Sequence, residues 1–153
     1  MIFYELITNK VLVIPVFAWA VAQLVKVIVS LVREKRFDMR YFVASGGMPS
    51  SHTALVCALA TAAAMTLGLN SVTFAITVIL AMVVIYDAAG VRQAVSRQST
   101  ILNRIVKQVT DKGPKGQVER DLRELIGHTP FQVIVGAVLG VLIAWLWLTI
   151  SGL

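Results

Sequence analysis

Long apolar segments separated by charged connections dominate the chain. Four of them have the length and apolarity of membrane-spanning helices, at residues 11–32, 53–69, 72–88 and 131–148. A helix needs about 20 residues to cross the hydrocarbon core of a bilayer, so the second and third segments are short for spans. The pattern predicts an all-α integral membrane bundle of about four transmembrane helices, with residues 1–153 forming a single domain.

Charged residues concentrate in two of the connections, residues 33–52 and 89–130, whereas the C-terminal tail has no charged side chain. Because basic loops stay in the cytoplasm, both connections are predicted to be cytoplasmic. Both termini are then predicted outside, in a bacterial-type cytoplasmic membrane. Between Val91 and Val109, apolar residues recur at helical spacing opposite basic ones, which predicts a cytoplasmic amphipathic helix.

Composition supports a membrane protein and narrows the functions to consider. Of the 153 residues 58% are hydrophobic and 14% are charged, against about 25% charged in an average soluble domain. The net charge is +6, but the basic side chains adjoin spans and lack an aromatic-rich surface, so no nucleic acid is expected as a partner. The single cysteine, Cys57, excludes an intrachain disulfide and a cysteine-based metal site.

Two ionisable residues stand in or beside apolar segments. Lys26 lies inside the first predicted span and shares a helical face with Arg33. A cation in a span faces protein or a wet cavity, unless its long side chain reaches the headgroups, and both interpretations stay open. Asp87 ends the third segment on the predicted cytoplasmic side, where a role in catalysis and an ion pair with Arg92 or Lys26 are both open.

A glycine-rich heptapeptide, Gly-Gly-Met-Pro-Ser-Ser-His at residues 46–52, stands directly before the second apolar segment. Pro49 suits the first turn of a helix, and Ser50 or Ser51 can cap its N-terminus. The N–H groups of a helix start attract anions, and His52 beside them can carry a proton at neutral pH. The same residues are also consistent with an ordinary capped turn.

A second cluster, Gly-His-Thr-Pro at residues 127–130, precedes the last apolar segment. His52 and His128 are thus both predicted at helix starts on one membrane face, although two unrelated capping histidines would give the same pattern. Two histidines can divide phosphoester cleavage: one attacks phosphorus and the other protonates the leaving oxygen, while cations hold the phosphate. Because carboxylates are few and scattered, no metal or other cofactor is expected.

These motifs resemble the divergent branch of the type-2 phosphatidic acid phosphatase superfamily, which is related to vanadium-dependent haloperoxidases. Three motifs of the branch are matched in order, at residues 46–52, 86–92 and 127–130. The superfamily's Lys-x6-Arg-Pro signature is matched by Lys26 and Arg33, with Glu34 in place of the proline. Gln132 stands where the superfamily's third signature has an aspartate.

The resemblance implies a metal-independent phosphatase that hydrolyses a phosphomonoester on a membrane lipid at the cytoplasmic face. The lipid is expected to be of the phosphatidylglycerophosphate or phosphatidate type. His128 is implied as the nucleophile and His52 as the acid, and we assign Asp87 the orienting role that Gln132 cannot fill with a charge. The side chains expected around the phosphate are Lys26, Arg33, Ser50, Ser51, Arg92 and Arg123.

Two alternative functions remain open on the sequence. One is a non-catalytic membrane protein that binds anionic lipid headgroups or a partner through its basic face. The other is a polyprenyl diphosphate phosphatase, whose substrate would call for an outward-facing site. The oligomeric state is also open, and a homo-oligomer is compatible with the sequence.

Overall fold

The structure, a computed structural model, describes residues 1–34, 47–89, 98, 101 and 130–152. The helices with described bounds are α1 (Ile2–Thr8), α2 (Lys10–Glu34), α3 (Ser51–Leu67), α4 (Val72–Ala89) and α5 (Pro130–Ile150). Within these ranges no residue belongs to a strand. The predicted all-α class is therefore confirmed.

Three of the helices are long and apolar enough to cross a membrane, namely residues Lys10–Val32 of α2, together with α4 and α5. α3 is also apolar but has 17 residues, fewer than the other three. The four helices coincide with the four apolar segments, so the predicted membrane helical bundle is confirmed. The predicted amphipathic helix between Val91 and Val109 lies almost entirely outside the described residues, and the assignment of the whole chain to one domain stays a prediction.

α3 is the central helix and packs against α2, α4 and α5. Its buried side chains are small, with Ala54, Ala58 and Ala62 fully buried. Small side chains let helix backbones approach closely, which is how helices associate tightly in a bilayer. Glycines in α5 also permit this close approach. A Cβ at Gly136 would overlap the carbonyl oxygen of Ser50, and a Cβ at Gly140 would overlap that of Ala54.

The order of these contacts fixes the directions of the helices. Gly136 meets the start of α3 and Gly140 meets its next turn, so α3 and α5 run parallel. α2 runs antiparallel to both, because its early residues Ile14 and Ala18 form a buried cluster with later residues of α3 and α5. In the same region the rings of Phe17 and Trp147 pack edge to face, 4.9 Å apart. Consequently the second half of α2 lies beside the starts of α3 and α5.

α4 follows α3 after a tight turn in which Gly68 has a φ of +85°. The Ser71 hydroxyl accepts a hydrogen bond from the Phe74 N–H at 3.1 Å, which caps the new helix. α4 packs mainly on α3 and leaves large side chains such as Ile79 exposed to the surrounding lipid. Its last turn returns toward the end of the bundle where α3 begins.

α1 is a short helix that the apolar pattern does not predict. It ends at Thr8, and Asn9 separates it from α2. The Asn9 side chain accepts a hydrogen bond from the Leu12 N–H at 3.3 Å, so it caps the start of α2. Asn9 therefore marks the boundary between the two helices.

Candidate functional site

The start of α3 is formed by Ser50, as the heptapeptide predicts. The Ser50 Oγ accepts hydrogen bonds from the Thr53 N–H at 3.4 Å and from the Thr53 hydroxyl at 3.0 Å. Ser50 itself is fully buried. The prediction that Pro49 occupies the first turn is wrong, because Ser50 supplies the cap and Pro49 therefore precedes the helix. The Met48–Pro49 peptide bond is cis.

α5 holds this cap from the other side. The Ser50 N–H donates a hydrogen bond to the Gln132 carbonyl oxygen at 3.1 Å, and the Ser50 carbonyl lies directly against Gly136. Gln132 belongs to the first turn of α5, so the beginnings of the two helices are joined backbone to backbone. The described residues 47–52 of the motif and the start of α5, which follows the Gly-His-Thr-Pro cluster, thus meet at one end of the bundle.

Lys26 points into the protein at this same end. Its side chain is only 2% exposed, and its Nζ donates a hydrogen bond to the Ser51 Oγ at 3.4 Å. Ser51 is fully buried and is the first residue of α3. Of the two interpretations that the sequence leaves open, the snorkelling lysine is therefore wrong, and Lys26 faces protein.

His52 follows Ser51 but lies on the open side of the helix start. Successive residues of an α-helix point about 100° apart, so Ser51 turns inward to Lys26 while His52 turns outward. The His52 side chain is exposed. The described part of the site therefore combines a buried hydroxyl and an accessible imidazole in the first turn of α3 with the buried Lys26 ammonium of α2 beside them.

Asp87 lies in the last turn of α4, and its side chain is exposed. It lines an open groove of about 470 Å³ with Met82, Val83 and Tyr86. Its predicted role is to orient His128, which lies outside the described residues, and that role stays a prediction.

Several other predicted site residues also fall outside the described part of the chain. These are His128, Arg92 and Arg123, together with the side chain of Arg33. The residues that the structure does bring together are Lys26, Ser50, Ser51 and His52. Among the described residues, no group of three or more histidine, cysteine or acidic side chains is placed to hold a metal ion.

Pattern reasoning misses three residues that shape the site. Thr53 completes the cap, Gly136 lets α5 reach Ser50, and Gly47 leaves the space that the side chain of Lys26 occupies. The spacing Gly136-x3-Gly140 is a recognisable signal for close helix packing. For Gly47, the sequence signal is only that it stands in a glycine pair.

Comparison with known proteins agrees with the motifs. The "Uncharacterized membrane protein YuiD" of Bacillus subtilis (strain 168) is 36% identical over 148 residues, covering 91% of this chain and 94% of that protein. No solved structure is significantly similar to the chain. The family model described as "Divergent PAP2 family" matches residues 7–143. This membrane protein therefore belongs to the divergent PAP2 family.

Proposed function

We propose that this chain is a metal-independent phosphatase that hydrolyses a phosphomonoester on a membrane lipid at the cytoplasmic face. Phosphatidate and phosphatidylglycerophosphate are the substrates we favour. The observation that carries the proposal is the burial of Lys26, whose ammonium donates to Ser51 at the start of α3, next to the exposed His52.

The electrostatics of this arrangement favour an anion. A charged ammonium inside an apolar bundle is costly and marks functional sites in membrane proteins. The start of α3 adds the positive end of a helix dipole at the same place. A phosphate offers oxygens that accept hydrogen bonds from the ammonium, from the Ser51 hydroxyl and from backbone N–H groups, so it would compensate both positive sources at once.

Membrane location and loop charge support a lipid substrate met from inside the cell. The site lies at the end of helices whose apolar side chains face lipid, such as Ile79 of α4 and Ile134 of α5. The basic connections at residues 33–52 and 89–130 are expected in the cytoplasm. A phosphorylated lipid made in the cytoplasmic leaflet would present its headgroup at this end of the bundle.

The proposed reaction has two steps, with roles taken from the family motifs. The His128 imidazole attacks phosphorus, the ester P–O bond breaks, and His52 gives its proton to the leaving lipid oxygen. Water then attacks the phosphohistidine, its proton passes to His52, and the P–N bond breaks to release inorganic phosphate. The backbone N–H of Ser50 donates a hydrogen bond to the carbonyl oxygen of Gln132. Because His128 precedes Gln132 by four residues, the covalent chain limits the distance between their Cα atoms to about 14 Å.

The decisive experiment measures phosphate release by the purified protein in mixed micelles of detergent and phosphatidate or phosphatidylglycerophosphate. We expect turnover that persists in a metal chelator. Removing a general acid or a positioned cation costs about 10²- to 10⁴-fold, so His52→Ala and Lys26→Met should each lower the rate on that scale. His128→Ala removes the proposed nucleophile and should lower the rate at least as much. Lys10→Met is the matched control, since Lys10 begins α2 at the opposite end of the bundle.

The alternative of a non-catalytic headgroup-binding protein is favoured by the basic bias of the two charged connections. It predicts no turnover of any lipid phosphate, and it predicts equal binding of wild type and His52→Ala to anionic vesicles. A protein that hydrolyses only polyprenyl diphosphate would contradict the proposed substrate class while keeping the phosphatase assignment.

A further inference from the structure

The side chain of Lys26 lies in the space that a side chain at residue 47 would occupy. A Cβ built on Gly47 would lie 3.0 Å from Cγ, 3.1 Å from Cδ and 3.8 Å from Cε of Lys26. The residue also has a φ of +99°, a conformation that side-chain-bearing residues rarely adopt. A side chain at residue 47 is therefore disfavoured for two independent reasons: it would crowd Lys26, and it would strain the backbone.

Gly68 is a useful comparison because it has the positive φ without the crowding. Its φ of +85° is similarly positive, but no atom lies within 4 Å of the Cβ that it lacks. Gly68 is explained by its turn alone. The contact with Lys26 is thus an additional property of Gly47.

The contact controls where the ammonium goes. α2 continues from Lys26 to Glu34, so the lysine stem could extend toward the polar end of its helix, as lysines in spans commonly do. The bare backbone at Gly47 instead covers the stem, and Nζ reaches Ser51. A methyl group at residue 47 would meet Cγ and Cδ of a side chain rather than backbone, so the lysine side chain would have to shift by a few tenths of an ångström.

We propose that Gly47 is a positioning residue for Lys26: by lacking a side chain, it holds the lysine stem inward and directs the ammonium at the start of α3. This inference rests on the proposed function only in its consequence for turnover. The placement of Lys26 itself can be measured whether or not the protein is a phosphatase.

The first test measures acylation of Lys26 by a water-soluble N-hydroxysuccinimide ester in detergent micelles, quantified by mass spectrometry. In Gly47→Ala, Lys26 should be acylated at least about tenfold faster than in wild type, because a displaced side chain no longer needs local opening to reach water. Gly68→Ala, which carries the backbone strain without the contact, should label Lys26 at the wild-type rate. A folded Gly47→Ala protein with wild-type labelling of Lys26 would overturn the inference.

The second test covers a Gly47→Ala protein that folds poorly. Lys26→Ala removes both carbons nearest to the new methyl group, so it should remove the part of the melting-temperature loss that comes from the contact. We expect Gly47→Ala to lower the melting temperature more than Gly68→Ala does in wild type, and to lower it no more than that in the Lys26→Ala background. Equal losses in both backgrounds would contradict a role through Lys26.

Turnover gives a third measurement if the protein hydrolyses a lipid phosphate. A misplacement of about 1 Å costs on the order of 100-fold in rate. The methyl group at residue 47 requires a smaller shift of the lysine side chain, so Gly47→Ala should lose activity by up to about that factor, with little further loss when added to Lys26→Met. Independent, multiplying losses would contradict the inference. Absence of turnover in wild type would instead refute the proposed function, and the labelling result would stand.

Discussion

Replacing Gly136 or Gly140 by alanine tests whether α5 holds the start of α3 in place. A methyl group at Gly140 would lie 2.9 Å from the carbonyl carbon and from the Cα of Ala54. At Gly136 it would lie 3.2 Å from the carbonyl carbon and from the Cβ of Ser50. Because nonbonded carbons settle about 3.5–4.0 Å apart, the two backbones must separate by roughly 0.5–1 Å to admit either methyl group.

The expected cost follows from that separation. A gap of about 0.5–1 Å forfeits a quarter to a half of each dispersion contact across the interface, and overpacking typically costs about 1–3 kcal/mol. The higher helix propensity of alanine offsets about 1 kcal/mol of that loss in the free energy of unfolding. We therefore expect Gly140→Ala, where the overlap is deeper, to lower the free energy of unfolding by about 1–2 kcal/mol, and Gly136→Ala to lower it by less.

The chain carries its own reporter for this measurement. Cys57 is the only cysteine, is partly buried, and lies one turn beyond Ala54 in α3. A thiol-reactive fluorescent dye added during heating in detergent would report the exposure of α3 directly. Val138→Ala, at a 53% exposed position of α5, is the control and should melt like wild type.

The two glycine variants should also differ in function. Gly136→Ala displaces the carbonyl of Ser50, the cap of the candidate site, whereas Gly140→Ala acts one turn further along α3. We expect Gly136→Ala to lower phosphate release more than Gly140→Ala, although it destabilises the protein less. If both variants melted at or above the wild-type temperature, the close approach of α3 and α5 would not be required, and the reasoning would be refuted.

Other packing predictions can be checked with the same melting assay. Thr53→Val removes the buried hydroxyl that donates to Ser50 and should cost about 1 kcal/mol; wild-type stability would argue against the cap network. Single and double alanine variants of Phe17 and Trp147 should show a coupling of about 0.5–1.5 kcal/mol, whereas additive losses would exclude a direct ring contact. Ile79→Ala, at a 60% exposed position of α4, should change stability by less than about 0.5 kcal/mol. A larger loss would instead indicate that this face packs against another copy of the chain.

Features with a local cause were predictable from the sequence. The apolar segment 53–69 and a cap at Ser50 or Ser51 are reproduced to within two residues by α3, because a serine hydroxyl and a change in hydrophobicity act on their immediate neighbours. α1 was not predicted because its seven residues are too few to form a membrane-spanning pattern, and its boundary with α2 is set locally by the Asn9 cap.

Features that depend on distant contacts were not predictable. Nothing around Lys26 in the chain decides whether its side chain turns inward or toward the headgroups. Gly47 and Ser51, which lie beside Lys26 only in the folded protein, are the residues to which we attribute the inward direction of its side chain. The packing of Gly136 against Ser50 is an intermediate case, since the Gly-x3-Gly spacing signals a close helix contact without naming the partner.

The shortness of α3 has a consequence for how a substrate arrives. Its 17 residues make a rod of about 26 Å, whereas the hydrocarbon core of a bilayer is about 30 Å thick. If the Gly68 end of α3 lies at one boundary of the hydrocarbon core, the end capped by Ser50 would lie several ångströms inside the opposite boundary. The lipid substrate that we propose would then reach this end laterally from within its leaflet, whereas a water-soluble phosphoester, which has no acyl chain, would have to approach from the aqueous side.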